Sequence, residues 1–396
     1  MTRDEYLRWI VQRWLDLPAG ACPPVLPNEL AALLLRDEER LTAHRDPWDN
    51  WEFPFSEVFR RGTLLAPEID TWAASCPGRR PLWPDGHKFA LAISHDVDDV
   101  SHRVTPAQWW RRAKLALGGG AKAAIRSLPG TVWQARTLSP TPDTDPTIGR
   151  LLDIERELAI PASWFFTVWP PARPHLVDCV HAFADPCRFR GRRATVADVI
   201  RAVADCGHEV GLHGSYVSAI DGPALVAEKT ALDGVLGQPT TSIRQHWLHW
   251  RVDTTPHLQA AAGFTVDGTL GFNNSAGFRC GTSLPFPWWD GGPLDILMVP
   301  VSVMDVALFR PGDMGLDLTL ALRLVDDIIQ RVEASGGILS LLIHPNHIID
   351  PRVETLLRHT VGTCWERGAL LATHADIRRS WDLRVDAQAA QLGAKA

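Results

Sequence analysis

From about residue 86 onward, short apolar runs alternate with helical ones: KFALAIS, ASWFFTV, HEVGLHG, SIRQHWL, GFTVDGTLG, ILMVPVSV, GILSLLIH and, near the end, ALLATHADI. Strands separated by helices require crossover connections, and crossovers make a parallel sheet. Seven or eight such units in succession suggest a closed or nearly closed (β/α) barrel. The intervening runs TVADVIRAVADCG and DGPALVAEKTALDGVLG each close on a glycine, a helix C-cap signal.

In a parallel barrel the active site lies where strands end and loops begin, at the C-terminal face. Polar residues concentrate at those points: His95, Asp96 and Asp98 after the first run, His213 in HEVGLHG, Arg244 and His246 in SIRQH, Asp267 in FTVD and His344 in LSLLIH. A single Asp there commonly caps a helix and a single His commonly sits satisfied in a core, but five polar strand ends on successive units are hard to obtain from packing alone. In DVD the two carboxylates point the same way, because alternate residues of an extended segment share a face. Carboxylates and histidines brought together can hold a divalent cation such as Zn²⁺, which lowers the pKa of bound water to about 7 and polarises a carbonyl. A free carboxylate can then take the proton from water, and a histidine opposite can protonate a departing amine.

The order of these pieces resembles the polysaccharide deacetylase family, also called the NodB-homology or carbohydrate esterase 4 family, over about residues 86–380. The resemblance implies an α/β fold, a distorted (β/α)7 barrel, and removal of acetyl groups from sugars. SHDVDD resembles a variant first motif, with Asp96 as base and Asp98 as metal ligand. GHEVGLHGSY is similar to the second motif, with His213 as its first metal histidine. Arg244 in IRQHW resembles the third-motif arginine that orients the aspartate, Asp267 the acid that tunes the last histidine, and LLIHP the fifth motif with His344 as general acid. One departure stands out. The family's second metal histidine, four residues after the first, is Val217 here. His246 is a candidate for the missing nitrogen, with His95, His249 and Asp99 as others; alternatively the site binds no metal, as in branches of the fold that hydrolyse amides of small cyclic substrates.

The function implied is hydrolysis of an N-acetylated sugar, assisted by a divalent metal, with Zn the expected one. Trp247, Trp250, Trp288 and Trp289 are candidates to stack on sugar rings or simply to line the barrel mouth. Two other functions remain open: a metal-independent hydrolase of a small non-sugar amide, and an inert barrel that binds a glycan or a partner protein. Val217 argues for inertness, whereas Asp96, Asp98, Arg244 and His344 argue against it, since an idle pocket has little reason to hold so many desolvated charges. A serine hydrolase is a poor fit, because neither Ser94 nor Ser215 lies in a GxSxG elbow.

Outside the barrel, residues 1–80 read as a mostly helical cap in which no chemistry is evident. They open with an amphipathic helix presenting Tyr6, Ile10, Val11, Trp14 and Leu15, followed by a helical stretch near 29–42 and then by the Trp/Pro/Phe-rich segment DPWDNWEFPFSEVF. The barrel domain spans 81–385, followed by a flexible tail at 386–396. Between Ser101 and Pro142 lies a basic insertion, with seven Lys or Arg and no acid, interleaved with Trp109, Trp110 and Trp133. It reads either as a flap for anionic lipid headgroups or a glycan diphosphate, or as a solvated helix whose tryptophans cover the barrel. A formal charge of −6 argues against nucleic-acid binding. The charged start MTRDEYLRWIVQRWLDL does not suit a signal peptide, and no apolar stretch approaches the roughly 18 residues of a membrane span. A cytoplasmic protein is expected, at the inner membrane face if the insertion docks there, with a lipid- or nucleotide-linked glycan precursor for surface polysaccharide assembly as substrate. The seven cysteines include no CxxC pair and read as reduced.

Overall fold

The computed structural model describes residues 1–17, 21–78, 80–119 and 135–393, so Lys122, Arg126 and Trp133 of the basic insertion lie outside the described residues. Twelve strands follow in chain order: β1 (Phe89–Val97), β2 (Ser163–Phe166), β3 (Pro186–Phe189), β4 (Arg192–Thr195), β5 (Glu209–Gly214), β6 (Ser242–Gln245), β7 (Val266–Asp267), β8 (Phe286–Trp289), β9 (Pro293–Met298), β10 (Val303–Met304), β11 (Ile338–Leu342) and β12 (Ala369–Ala372). Ten of them form one sheet in the order β10-β11-β1-β2-β5-β6-β7-β9-β8, with β12 also on β1. Every pairing in it is parallel except that of β8 with β9. Among the described residues no pairing joins β8 to β10, so the sheet curls as an incomplete barrel.

The centre of the sheet is β1, nine residues buried throughout. One edge pairs with β11 over Ala90–Ser94. The opposite edge is shared, with β12 beside Phe89–Ala92 and β2 beside Ser94–Val97. The seam between β12 and β2 is closed by His374, whose backbone N–H and Nδ1 both lie within 3.0 Å of the Ser163 hydroxyl.

The helices match their sequence signals. Thr195 and Asp198 form a capping box at the start of Val196–Asp205, and Gly237, in the left-handed region at φ 71°, ends Gly222–Leu236. Three strands, a hairpin and one more, have no counterpart in the sequence pattern. The β3–β4 hairpin turns on Arg190 and Gly191, both at positive φ, and lies outside the main sheet. The other is β8, whose Pro and Trp content hides its period. The last helix, His374–Gly393, continues past residue 386, where the sequence suggests a flexible tail.

The N-terminal extension shares one hydrophobic core with the barrel. Its first helix buries Tyr6, Ile10, Val11, Trp14 and Leu15, as the periodicity predicts. The Tyr6 hydroxyl and Trp14 Nε1 donate to the carbonyls of Pro287 and Pro285, at 2.5 and 3.0 Å. The expected second helix is broken into Asn28–Leu34 and Asp37–Leu41 by Arg36 in the left-handed conformation. That break lets Arg36 join Glu39 and Arg279 in a buried ion triad across the interface, with Glu39 accepting at 2.7 Å from Arg36 and at 2.8 and 3.0 Å from Arg279. In the basic insertion, Arg111 is bidentate on Asp185 and Arg112 is paired with Asp99. No helix among the described residues is long and apolar enough to cross a membrane.

Candidate active site

The C-terminal ends of β1, β5, β6 and β11 converge on a cavity of about 620 Å³ whose lining includes Asp96, Asp98, His213, His246 and His344. Asp96 is buried and held on one side. Arg244, fully buried, donates from Nη1 to Asp96 Oδ1 and to Ser94 Oγ, both at 2.9 Å, and from Nε to the Gly268 carbonyl at 2.8 Å. Its guanidinium lies over Phe165, and His374 stands 3.4 Å from Nη2. Burial and the Arg244 charge hold His374 well below the usual imidazole range, which leaves it neutral and able to accept. Arg244, held in turn by Ser94, Gly268 and His374, thus fixes Asp96 Oδ1, while Oδ2 lies 3.9 Å from His213 Nε2.

His344 is held in the complementary way. Its Nδ1 donates to Asp305 Oδ1 at 2.7 Å, and its backbone N–H donates to Asp305 Oδ2 at 2.9 Å. Burial lowers its pKa, but Asp305, Asp98 and Asp96 outweigh burial and raise it to about 9. The imidazolium presents Nε2 to the cavity, 3.9 Å from Asp98 Oδ2.

Between these two groups, three acceptors meet. His213 Nδ1 donates to the Arg244 carbonyl at 3.0 Å and His246 Nε2 to the Val177 carbonyl at 2.8 Å. In the neutral rings, His213 Nε2 and His246 Nδ1 are then lone pairs. They face one another at 3.0 Å, and each faces Asp98 Oδ1, at 3.3 and 3.4 Å. Three converging lone pairs repel unless a cation lies among them. A proton on one ring satisfies only part of the triangle. A tetrahedral Zn²⁺ with ligands at about 2.0–2.1 Å spaces its ligand atoms by roughly 3.4 Å, close to all three edges. The residues therefore fit a divalent metal. The Cys179 thiol donates to Asp98 Oδ1 at 3.5 Å and stands 3.9 and 4.0 Å from the two ring nitrogens of His246. Nearly equidistant from both, it packs against the ring and does not lie along the Nδ1 lone pair.

No family model and no curated protein matches the chain. Solved structures do. A protein from Mycobacterium smegmatis described as a polysaccharide deacetylase superimposes with a TM-score of 0.52 at 21% identity, over 78% of this chain and 96% of its own. The chain has the polysaccharide deacetylase fold. Puue allantoinase (TM-score 0.49, 17% identity, 78% of this chain and 94% of its own) and a protein of Pseudomonas aeruginosa PAO1 described as a polysaccharide deacetylase (0.48, 17%, 76% and 94%) are also similar in structure.

On this deacetylase fold, the structure brings Asp96, Asp98, His213, Arg244, His246 and His344 together and separates several other candidates from them. His95 points to the opposite face of β1, with Nε2 on Glu155 at 2.7 Å. His249 bonds the Tyr216 carbonyl and Asp99 bonds Arg112. Val217 sits in a turn after β5, where no helix carries an i+4 residue back to the site. Asp267 does not touch His344. Its carboxylate is buried under Trp250 Nε1 and the backbone N–H of Thr269, at 3.2 and 2.7 Å, and burial raises its pKa to about 6. The acid on His344 is Asp305, which follows the two-residue strand β10 and so carries the same strand-end signal as the others.

The four tryptophans divide. Trp247 lines the cavity, held at φ 58° in the left-handed region. Trp250 and Trp288 are buried against each other, and Trp289 stacks on Tyr6 of the extension. None of these three lines the cavity: Trp288 and Trp289 are on the edge strand β8, against which the first helix packs, and Trp250 is in the core against Asp267. The aromatic partner of Trp247 at the mouth is Trp48, in T-shaped contact at 5.7 Å.

Proposed function

We propose that the protein hydrolyses the acetamide of an N-acetylated sugar. The observation that carries this reading is the opposed pair of a carboxylate fixed by Arg244 and an imidazolium fixed by Asp305, on either side of the Asp98, His213 and His246 triangle. A divalent cation held by that triangle would polarise the amide carbonyl and acidify a bound water. Asp96 Oδ2 accepts the proton of the attacking water while Arg244 keeps the carboxylate aimed. His344 Nε2 donates its proton to the nitrogen as the C–N bond breaks, and Asp305 stabilises the charge on the ring throughout. Acetate and the free amine leave. The substrate we infer is a short glycan or glycan precursor of the kind consumed in surface polysaccharide assembly, acted on where the protein is made.

The test pairs elemental analysis of the purified protein with mass-spectrometric detection of free amine from N-acetylated oligosaccharides, in the wild type and in Asp98→Ala and His246→Ala. Stoichiometric metal that both substitutions remove, together with amine release, is the expected result. Amide hydrolysis of a small non-sugar substrate by metal-free protein would replace this reading with the metal-independent one. No hydrolysis by metal-loaded protein would leave only a binding role.

A further inference from the structure

The N-terminal extension supplies part of the mouth of the cavity. Residues 46–50 form a tight turn in which Asp46 Oδ1 accepts from the backbone N–H of Trp48 and of Asn50, both at 2.8 Å. Asp49 pins the turn to the barrel through Arg251, with contacts at 2.6 and 3.1 Å. Trp48 is thereby held against Trp247, whose carbonyl accepts from Asn273 Nδ2 at 2.7 Å. Asp46, Trp48, Glu52, Trp247, Asn273 and Asn274 thus line one cavity from segments about 200 residues apart.

The chemistry of this wall is one-sided. Asp46, Glu52 and Asp313 are its acids above the catalytic floor. Among the described residues lining the cavity, Arg310 is the one Arg or Lys, and its Nε is held by Asp313 at 2.6 Å. Asp46 and Glu52 have no basic partner there. Glu52 Oε2 and Asn274 Oδ1 are buried acceptors with no donor in the protein. Burial, with the Asp46 charge adding to it, raises the Glu52 pKa to about 7, against the opposing effects of Arg279 and a hydrogen bond from Asn273. A wall of aromatic faces and carboxylates suits a ligand that brings apolar ring faces and hydrogen-bond donors. It repels a phosphate or carboxylate.

We propose that Asp46, Trp48 and Glu52 form a substrate subsite of the extension that takes a sugar carrying hydroxyl or ammonium donors and excludes an anionic one. The inference rests on the deacetylase reading and names the substrate class for that same site. A nucleoside-diphosphate form of the sugar is therefore disfavoured among the precursors, with the diphosphate at this mouth.

The test uses the full chain carrying Asp96→Asn, which binds without turning over, and follows tryptophan fluorescence. Three forms of one N-acetylated disaccharide serve as probes: neutral, amine-bearing after loss of one acetyl group, and phosphate-bearing. The expected result is that the neutral and amine forms bind about tenfold or more tighter than the phosphate form, and that Glu52→Gln or Asp46→Asn, added singly, narrows this ratio at least about threefold. The ratio within one protein is insensitive to partial misfolding. Equal or tighter binding of the phosphate form, an unchanged ratio in both variants, or no binding of any probe overturns the subsite. Preferred hydrolysis of the phosphate form by the wild type would uphold deacetylation while sinking the subsite. Loss of all hydrolysis with the charge ranking intact would do the reverse.

Discussion

The floor and the mouth of the cavity are made in opposite ways. The floor is a set of side chains at the ends of adjacent parallel strands, each fixed by bonds to backbone or to another buried group: Arg244 on Ser94, Asp96 and Gly268, His344 on Asp305, His213 and His246 on carbonyls. The mouth is assembled from a turn near the N-terminus, a strained loop after β6 and loops near residues 273 and 310. The floor is largely buried, and its arginine and three histidines are each held by bonds to the protein. The mouth is half-buried and carries two carboxylates, Asp46 and Glu52, while the one Arg of its lining is held by Asp313. A floor so held suits chemistry, which needs reacting groups held within a fraction of an ångström, and a mouth lined by carboxylates suits recognition.

That difference predicts where substitutions bite. The largest effects belong to the floor. Asp96→Asn and His344→Ala should each lower kcat by about 10²–10⁴-fold with little change in KM, since each removes one proton transfer. Steady-state kinetics on the amide substrate checks this. A large rise in KM with kcat intact would instead make them binding residues and dissolve the contrast between floor and mouth. Arg244→Lys should fall between, because a lysine ammonium cannot span Ser94, Asp96 and Gly268 at once.

The contrast also explains what could be read from the chain alone. Strand ends are marked in sequence by an apolar run that stops, so Asp96, Asp98, His213, Arg244 and His344 are visible one motif at a time. His246 could be placed because it lies two residues beyond Arg244 on the same strand end, and the three-acceptor triangle places its nitrogen where Val217 offers none. Asp305 escaped although β10 and β7 are equally short, because the resemblance had already given its role to Asp267, and only the fold shows which of the two acids reaches His344. Trp288 and Trp289 looked like mouth residues because aromatic pairs beside prolines suit grooves and edge strands equally well. The mouth was not legible at all. Nothing local relates Asp46, Trp48 and Glu52 to Trp247 or Arg310; only the docking of the extension does.

The next effect in size concerns that docking. Glu39 lies between Arg36 and Arg279 with no exposed side-chain surface, and replacing it strands the buried Arg279 and leaves Arg36 to Glu38 alone. Glu39→Gln should cost about 3–5 kcal/mol of stability, read as a lower denaturant midpoint. Burial raises the Glu39 pKa, but the two guanidiniums outweigh burial and lower it from 4.5 to about 2. The folded value lies below the unfolded one, so the clamp's contribution is complete above about pH 4.5 and is lost as pH falls from there through about 2. Glu39→Gln should therefore flatten the acid limb of the stability profile while leaving its neutral plateau lower. An unaltered acid limb would mean that the extension is held by its apolar face alone.

The smallest effect isolates the mouth from the clamp. Trp48 is half-buried and contributes no bond to the Arg36, Glu39 and Arg279 triad, so Trp48→Ala should leave the denaturant midpoint nearly unchanged. It removes one aromatic face opposite Trp247, worth about 1 kcal/mol of ring contact, and should raise KM several-fold at constant kcat. Trp250→Ala, in the core beneath Asp267, should do the opposite, lowering stability by about 3–5 kcal/mol as large core truncations do. If Trp48→Ala lowered kcat as well, the extension would be shaping the floor through Trp247, whose left-handed backbone and carbonyl bond to Asn273 connect the mouth to the strand end that carries His246. The extension would then act on the chemistry as well as on the choice of substrate.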